Sequence, residues 1–307
     1  MADRKISQLD ARTTSQLADS DSYIVESGSL GTGRTTFTNL RSKLIGTSSI
    51  DQIVEDATVT SAINRLNAII GANAQCSHNA YYRGAQLTNF STRYAPFIAD
   101  GTFKNMYIGD YFQTTSGNTT ITWRIAAFDS YMGVGQSGGV TTHHIVVVPD
   151  APLYNAAMND TDTTSGGYTG SKMYTDNLAQ AVTMAENSFG SSHVLEHSMW
   201  LCRGVTNGAP TSVTWFNVKA TLMTEQNVYG GKIFGTANTG ATDLELGTGD
   251  SSIFPLFLYN PSARISNQYW LRDIVSASKF ASVTATGTAH RTAASSSTGV
   301  RPAFCIC

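Results

Sequence analysis

Charge is what this sequence has least of. Asp, Glu, Lys and Arg make up 14% of its 307 residues, against roughly 25% in an ordinary soluble domain. Acidic and basic residues nearly cancel, 22 against 20, leaving a net charge of −2. No basic stripe is present, so nucleic acid is not an expected partner. Long apolar runs are missing too. The stretch HHIVVVPDAPLY is broken at Pro149 and Asp150, and nothing approaches the ~18 apolar residues of a membrane span. The opening MADRKISQLDAR lacks the apolar segment of a secretion signal, so none is expected. Cysteine is scarce: Cys76, Cys202, Cys305 and Cys307, with no C-x-x-C pair. The closing C-I-C puts two sulfurs on one side of a strand, a poor geometry for pairing with each other. The four are therefore expected to be mostly buried thiols.

Thr, Ser, Gly and Asn fill the space that charge leaves. Hydrophobic residues still reach 41% and aromatics 10%, enough for a real core under a polar, nearly uncharged surface. Such a surface suits extracellular β-rich proteins and virion fibres better than cytosolic enzymes.

Three regions follow one another. In residues 1–47, Tyr23, Ile24 and Val25 read as a strand, GSLGTGR as a turn, Thr35–Phe37 as a returning strand and NLRSKLIG as a short helix. GSLGTGRT also approximates a phosphate loop, but Arg34 stands where the loop needs lysine and β-prone TTFT follows. A hairpin turn is the better reading. Residues 48–80 hold a helix and a linker. Ile53, Val59, Ile63, Leu66 and Ile70 recur at helical spacing, and the last four have the 4-3-4 spacing of a coiled-coil seam. From residue 81 the chain reads as α+β, with short strands such as ITWRIAAF, HHIVVVP and VRPAFCI between Gly/Thr/Asn loops. One helix is expected over 171–189, capped by Ser171 and ended by Gly190, and a second, short one over 191–202.

The second helix would carry HVLEH, with His193 and His197 on one face and Glu196 beside them. H-x-x-E-H is one arrangement of zinc-protease ligands and general base. A catalytic zinc needs a third protein ligand, and neither Glu225, Asp243 nor Glu245 stands in a recognisable motif. A structural role for these histidines is therefore expected. The doublet His143-His144 opens a strand, which sends its side chains to opposite faces. NDTDTT at 159–164 lacks the glycine and spacing of a calcium loop and reads as turn caps. No Ser-His-Asp set or paired glycosidase carboxylates can be placed, so no catalytic residue, cofactor or metal is expected.

The closing segment YWLRDIVSASKFASVTATGTAHRTAASSSTGVRPAFCIC resembles the end of a C-type-lectin-like domain. Such domains are common in surface proteins of phages and prophages of gut Firmicutes. GTFKNMYIGDYF, ITWRI, HHIVVVPD and LYNAAMNDTDTTSGGYTGSKMY are similar to the same family in the same order, so the resemblance spans residues 81–307. KISQL, the hairpin and TNLRSKLIG are similar to the segment that opens many phage tail and fibre proteins. The resemblance implies a non-enzymatic virion protein, a head or tail fibre or spike, assembled in the host cytoplasm and exposed on the particle. It would attach to other virion proteins through residues 1–47, form a homotrimer through the helix, and bind a bacterial surface glycan or protein through its head. A capsid-decorating or tail protein that binds no receptor is the first alternative; a zinc hydrolase through His193, Glu196 and His197 is the other.

Within the closing segment Trp270, Leu271, Ile274 and Val275 are expected in the core, and Arg272 and Arg301 as framework residues. Between them, Ser276–Thr298 is small and polar, and in lectin-like folds of this kind it forms the binding surface. Lys279, Phe280, Thr284, Thr286, His290 and Arg291 are the expected contacts, with Phe280 and the His290-Arg291 pair foremost, because aromatics and arginine dominate binding hot spots.

Overall fold

A computed structural model of the chain describes residues 22–27, 31–36, 78–136, 138–236 and 252–307. The chain divides into two units, Met1–Ala72 and Asn73–Cys307. In the first, β1 (Ser22–Ser27) and β2 (Gly31–Thr36) pair antiparallel with Val25 opposite Gly33. All of GTGRT therefore lies in a strand, whereas a phosphate loop opens directly into a helix. The NLRSKLIG segment and the seam residues Ile53, Val59, Ile63, Leu66 and Ile70 lie outside the described residues.

The second unit is mixed α/β, mostly sheet with few helices. Its folded part starts before residue 81. His78 is buried against the rings of Phe103 and Phe128, and the Asn79 side chain exchanges hydrogen bonds with the Phe128 backbone. The elements run β3 (Gln86–Leu87), a π-helical turn Phe90–Tyr94 leading into α1 (Ala95–Ala99), β4 (Tyr111–Ser116), β5 (Thr119–Phe128), β6 (Ile145–Pro149) and β7 (Tyr154–Ala156). A second π-helical turn, Met173–Asn177, leads into α2 (Leu178–Phe189), then β8 (His197–Thr206), β9 (Ala209–Val218), β10 (Thr221–Leu222), α3 (Glu225–Tyr229) and α4 (Pro255–Tyr259). The last strands are β11 (Tyr269–Ser276), β12 (Lys279–Val283), β13 (Ala289–Ala293), β14 (Thr298–Val300) and β15 (Pro302–Ile306). One sheet has the order β10-β15-β6-β5-β4-β3, a second β13-β12-β11-β14-β7, and β8–β9 stands as a separate hairpin. Among the described residues no helix is long and apolar enough to cross a membrane.

Strand β6 explains the run IVVV. It lies between β15 and β5, and every residue from Ile145 to Val148 is fully buried. Trp123 of β5 packs on Phe189 of α2 and Phe304 of β15, with ring centroids 5.7 and 5.5 Å away. Helix α2 falls within the span expected for it. Leu178, Ala181, Ala185 and Phe189 are its buried side, the Ser171 hydroxyl accepts the Tyr174 N–H at 3.3 Å, and Gly190 ends it.

The closing G-V-R-P-A-F is a crossing between sheets. β14 belongs to the five-stranded sheet and β15 to the six-stranded one, with Arg301 between them. The Arg301 side chain is buried, donates to the carbonyls of Pro149 (2.7 Å) and Ala263 (3.0 Å), and lies 4.8 Å from the Tyr269 ring centroid. Arg272 is likewise buried and donates to the Leu222 carbonyl at 3.2 Å. Gly299 has no room for a side chain, since a Cβ there would lie 2.5 Å from the Gln268 oxygen.

One element differs in kind from expectation. Residues 191–202 are not helical: after a turn, the chain enters β8 at His197. The reason is turn chemistry. Asn207 and Gly208 have φ of 51° and 79°, the left-handed pair that closes a two-residue β-hairpin. That turn ties His197–Thr206 to Ala209–Val218, and strand pairing overrides a helical spacing only five residues long.

Candidate recognition surface

Alternation gives the β8–β9 hairpin two unlike faces. Met199 and Leu201 are fully buried and point inward, with His197 on the same side. Ser198 and Trp200 alternate with them and point outward. Register places Ser198 opposite Asn217 and Trp200 opposite Trp215. The two indoles meet edge to face with centroids 5.1 Å apart, and both are partly exposed. The Ser198 hydroxyl donates to Asn217 Oδ1 at 2.8 Å, which leaves the Asn217 amide N–H groups as donors toward solvent.

Beside this face lies a groove of about 260 Å³ between the hairpin and the loop 134–142. Gln136, Thr141, Thr142, Glu196, Ser198 and Asn217 supply its polar lining. The loop is closed on itself by backbone bonds from Gly133 N–H to the Val140 carbonyl and from Val140 N–H to the Val134 carbonyl. The tryptophan pair is the next pair along this face, since Ser198/Asn217 and Trp200/Trp215 are successive cross-strand pairs roughly 7 Å apart. A second hollow of about 570 Å³, lined by Ser91, Pro96, His143, His193 and Cys307 among others, flanks Thr141 and Thr142 on the other side.

The HVLEH residues scatter. His193 Nδ1 lies 2.5 Å from the Cys307 carbonyl oxygen, Glu196 is exposed on the groove, and His197 is buried against Tyr131 with Nε2 3.7 Å from Cys305 Sγ. Burial pushes the His197 imidazole down from 6.5 to about 4, and the neighbouring His144 acts in the same direction. That keeps it neutral. Among the described residues no three His, Cys, Asp or Glu side chains are grouped to hold a metal ion. The NDTDTT residues staple loops instead: Asp160 pairs with Lys172 at 2.6 Å, and Asp162 accepts the Ser295 N–H and hydroxyl. His143 bonds Asp129 at 2.7 Å and packs on Phe103, whereas the buried His144 lies 2.9 Å from the Thr142 carbonyl and accepts the Tyr131 N–H, so the two rings have different partners. Both precede β6, so strand alternation does not govern them.

No family model, curated protein or solved structure matches this chain significantly. Its functional reading therefore stands on its own residues.

The expected contacts at 279–291 are brought to one sheet but not to one surface. Phe280 is fully buried, which corrects its reading as a ligand contact. β12 is flanked by β11 and β13, and Phe280, Ala281, Ser282 and Val283 are all shielded from solvent. His290 stands opposite Ser282 and Arg291 opposite Ala281, so the two exposed side chains leave β13 on opposite faces. Arg291 lies over the Phe234 ring, 5.5 Å from its centroid. Lys279, half-buried, shares the Arg291 face. Thr286 is exposed on the turn after β12, where Thr284 bonds the hydroxyls of Thr286 and Thr288, and Tyr229 donates to the Gly287 carbonyl. Below Phe234, the buried Glu225 carboxylate accepts the N–H groups of Ile233, Phe234 and Gly235.

Sequence reasoning missed Trp200, Trp215 and Asn217. The usable signal was present: W-L-C-R-G-V-T-N-G-A-P-T-S-V-T-W places an Asn-Gly turn between two aromatic-bearing strands.

Proposed function

We propose that this chain is a phage virion protein, a head or tail fibre or spike, whose residues 81–307 form a C-type-lectin-like head that binds the bacterial surface. Residues 1–47 attach it to the particle, and residues 48–70 join three copies. The observation that carries the reading is the polar groove on the β8–β9 hairpin, with a partly exposed tryptophan pair next along the same face: polar donors and acceptors held by a closed loop and a strand pair. Sites of this build bind and orient ligands. Support also comes from the low charge, from the ordered series of segments resembling phage surface proteins, and from the mixed sheet architecture. Three heads on one fibre turn modest single-site affinity into firm attachment.

The test is immunogold electron microscopy of the particles with an antibody to residues 81–307, paired with binding of the purified full chain to host cells. Label on the particle together with cell binding supports the reading. Label without cell binding favours the decorating alternative, and absence of label from the particle overturns the virion assignment.

A further inference from the structure

We infer that the buried imidazole of His144 is a proton-sensitive latch. It ties together the two ends of the loop that walls the β8–β9 groove, so the groove is assembled at neutral pH and comes apart in mild acid. This rests on the recognition reading above and gives that surface its regulation.

Three observations converge. First, His144 joins both arms of the loop. The Asp129 N–H donates to the His144 carbonyl at 2.9 Å, and the His144 N–H donates back to Asp129 Oδ1 at 2.8 Å. The ring reaches further along each arm. Its Nδ1 lies 2.9 Å from the Thr142 carbonyl oxygen, and its Nε2 lies 3.2 Å from the Tyr131 nitrogen. Between these two anchor points the chain supplies Val134, Gln136, Val140 and Thr141 to the groove.

Second, the two ring contacts fix where its proton sits. A carbonyl only accepts, so Nδ1 carries the hydrogen. A backbone N–H only donates, so Nε2 presents a lone pair. Geometry alone therefore makes His144 neutral. A proton arriving at Nε2 turns that acceptor into a donor facing the Tyr131 N–H. The amide loses its partner, and a positive charge stands in a fully buried site.

Third, the surroundings do not hold that charge in place. The Asp129 carboxylate lies 3.8 Å from Nδ1, but its Oδ1 accepts the His144 N–H and its Oδ2 bonds the His143 ring. The other titratable neighbours are His143, next in the chain, and His197, which shares the Tyr131 ring with His144. The Tyr131 centroid lies 6.1 Å from that of His144 and 4.8 Å from that of His197, and the Cys305 thiol lies beyond His197. A proton on one imidazole thus opposes a proton on the next. Burial holds His144 below its ordinary 6.5 and outweighs the pull of Asp129. The latch is therefore complete above pH 6.5 and weakens as pH falls below it. Relief comes by opening to water, and a loop with four glycines between 133 and 139 gains much backbone freedom on release.

The experiment is amide hydrogen exchange of the purified full chain at pH 7.5 and pH 4.5, read by mass spectrometry and corrected for the intrinsic pH dependence of exchange. We expect peptides over residues 131–142 to lose protection by about 10- to 100-fold at pH 4.5, the range set by an open ring that titrates at 6.5. Peptides over β5 and β11 should keep theirs, and protection should return at pH 7.5. His144→Gln retains a donor and an acceptor but does not titrate, so the loss should disappear in that variant. Where the variant fails to fold, nitrogen NMR of the histidine rings in the unaltered protein decides instead. The Nδ1–H tautomer of His144 at pH 7.5 supports the latch, and the Nε2–H tautomer overturns it. Unchanged protection of 131–142 at pH 4.5 also overturns it, as does an equal loss across all peptides or a loss that survives in His144→Gln. Cell adhesion at the two pH values separates this failure from that of the recognition reading. Adhesion at pH 7.5 with a loop that stays closed at pH 4.5 sinks the latch alone. Adhesion that is undiminished when the loop opens sinks the recognition reading of the groove and leaves the latch standing.

Discussion

His197 lies against the ring of Tyr131, centroids 4.8 Å apart, with its Nε2 3.7 Å from the sulfur of Cys305. The residue that looks most like a metal ligand in the sequence is a neutral side chain wedged at the root of the hairpin that carries the tryptophan pair.

Acid should loosen this contact. Burial holds the His197 imidazole down from 6.5 to about 4, and burial lowers His144 and His78 as well. Between pH 6.5 and 4 the unfolded chain takes up protons that the folded protein refuses. The stabilising contribution is therefore complete above pH 6.5 and lost as pH falls toward 4. For His197 alone this amounts to about 2 kcal/mol by pH 4.5. Urea unfolding at pH 7 and pH 4.5 measures it, and the His197→Gln variant should show a smaller difference between the two. Equal midpoints in the unaltered protein would contradict the assignment.

Phe280→Ala should destabilise the fold by about 3–5 kcal/mol, the usual cost of emptying a buried phenylalanine site. Arg291→Ala should cost no more than about 1 kcal/mol, since it gives up only an exposed contact over Phe234. Denaturant midpoints of the two single variants separate a core residue from a surface one.

Glu225→Ala should cost roughly 3 kcal/mol, because three backbone N–H groups lose their shared acceptor. Glu225→Gln keeps one carbonyl oxygen and should lose less. If the alanine variant unfolds within about 0.5 kcal/mol of the parent, this carboxylate does not hold the 233–235 loop.

Gly208→Val should disturb the recognition surface through its far end. At φ 79° a β-branched residue is strained, and its Cβ would lie 2.7 Å from the Ala277 nitrogen. A loss of about 2–3 kcal/mol is expected, together with a red shift of tryptophan emission as the strand pair frays. A variant as stable as the parent would mean that the turn is not under constraint.

The sequence by itself determined those features that depend on neighbours along the chain or on burial alone. The run IVVV could only be a buried strand, the pattern from Tyr174 to Ala185 closed by Gly190 could only be a helix, and Trp270, Leu271 and Ile274 could only be core. Arg272 and Arg301 were legible as framework because a guanidinium in an apolar closing segment needs several carbonyl acceptors. Tertiary structure decided the rest. Whether Phe280 faced solvent depended on β11 and β13 flanking its strand, and its small polar neighbours gave no hint of that cover. Whether His193 and His197 shared a helix face depended on an Asn-Gly turn ten residues beyond His197. The groove exists only because the loop 134–142 meets residues 195–198 and Asn217. A pattern of hydrophobic residues encodes which side chains leave water. Which exposed side chains stand together is fixed by chain crossings that no local pattern records.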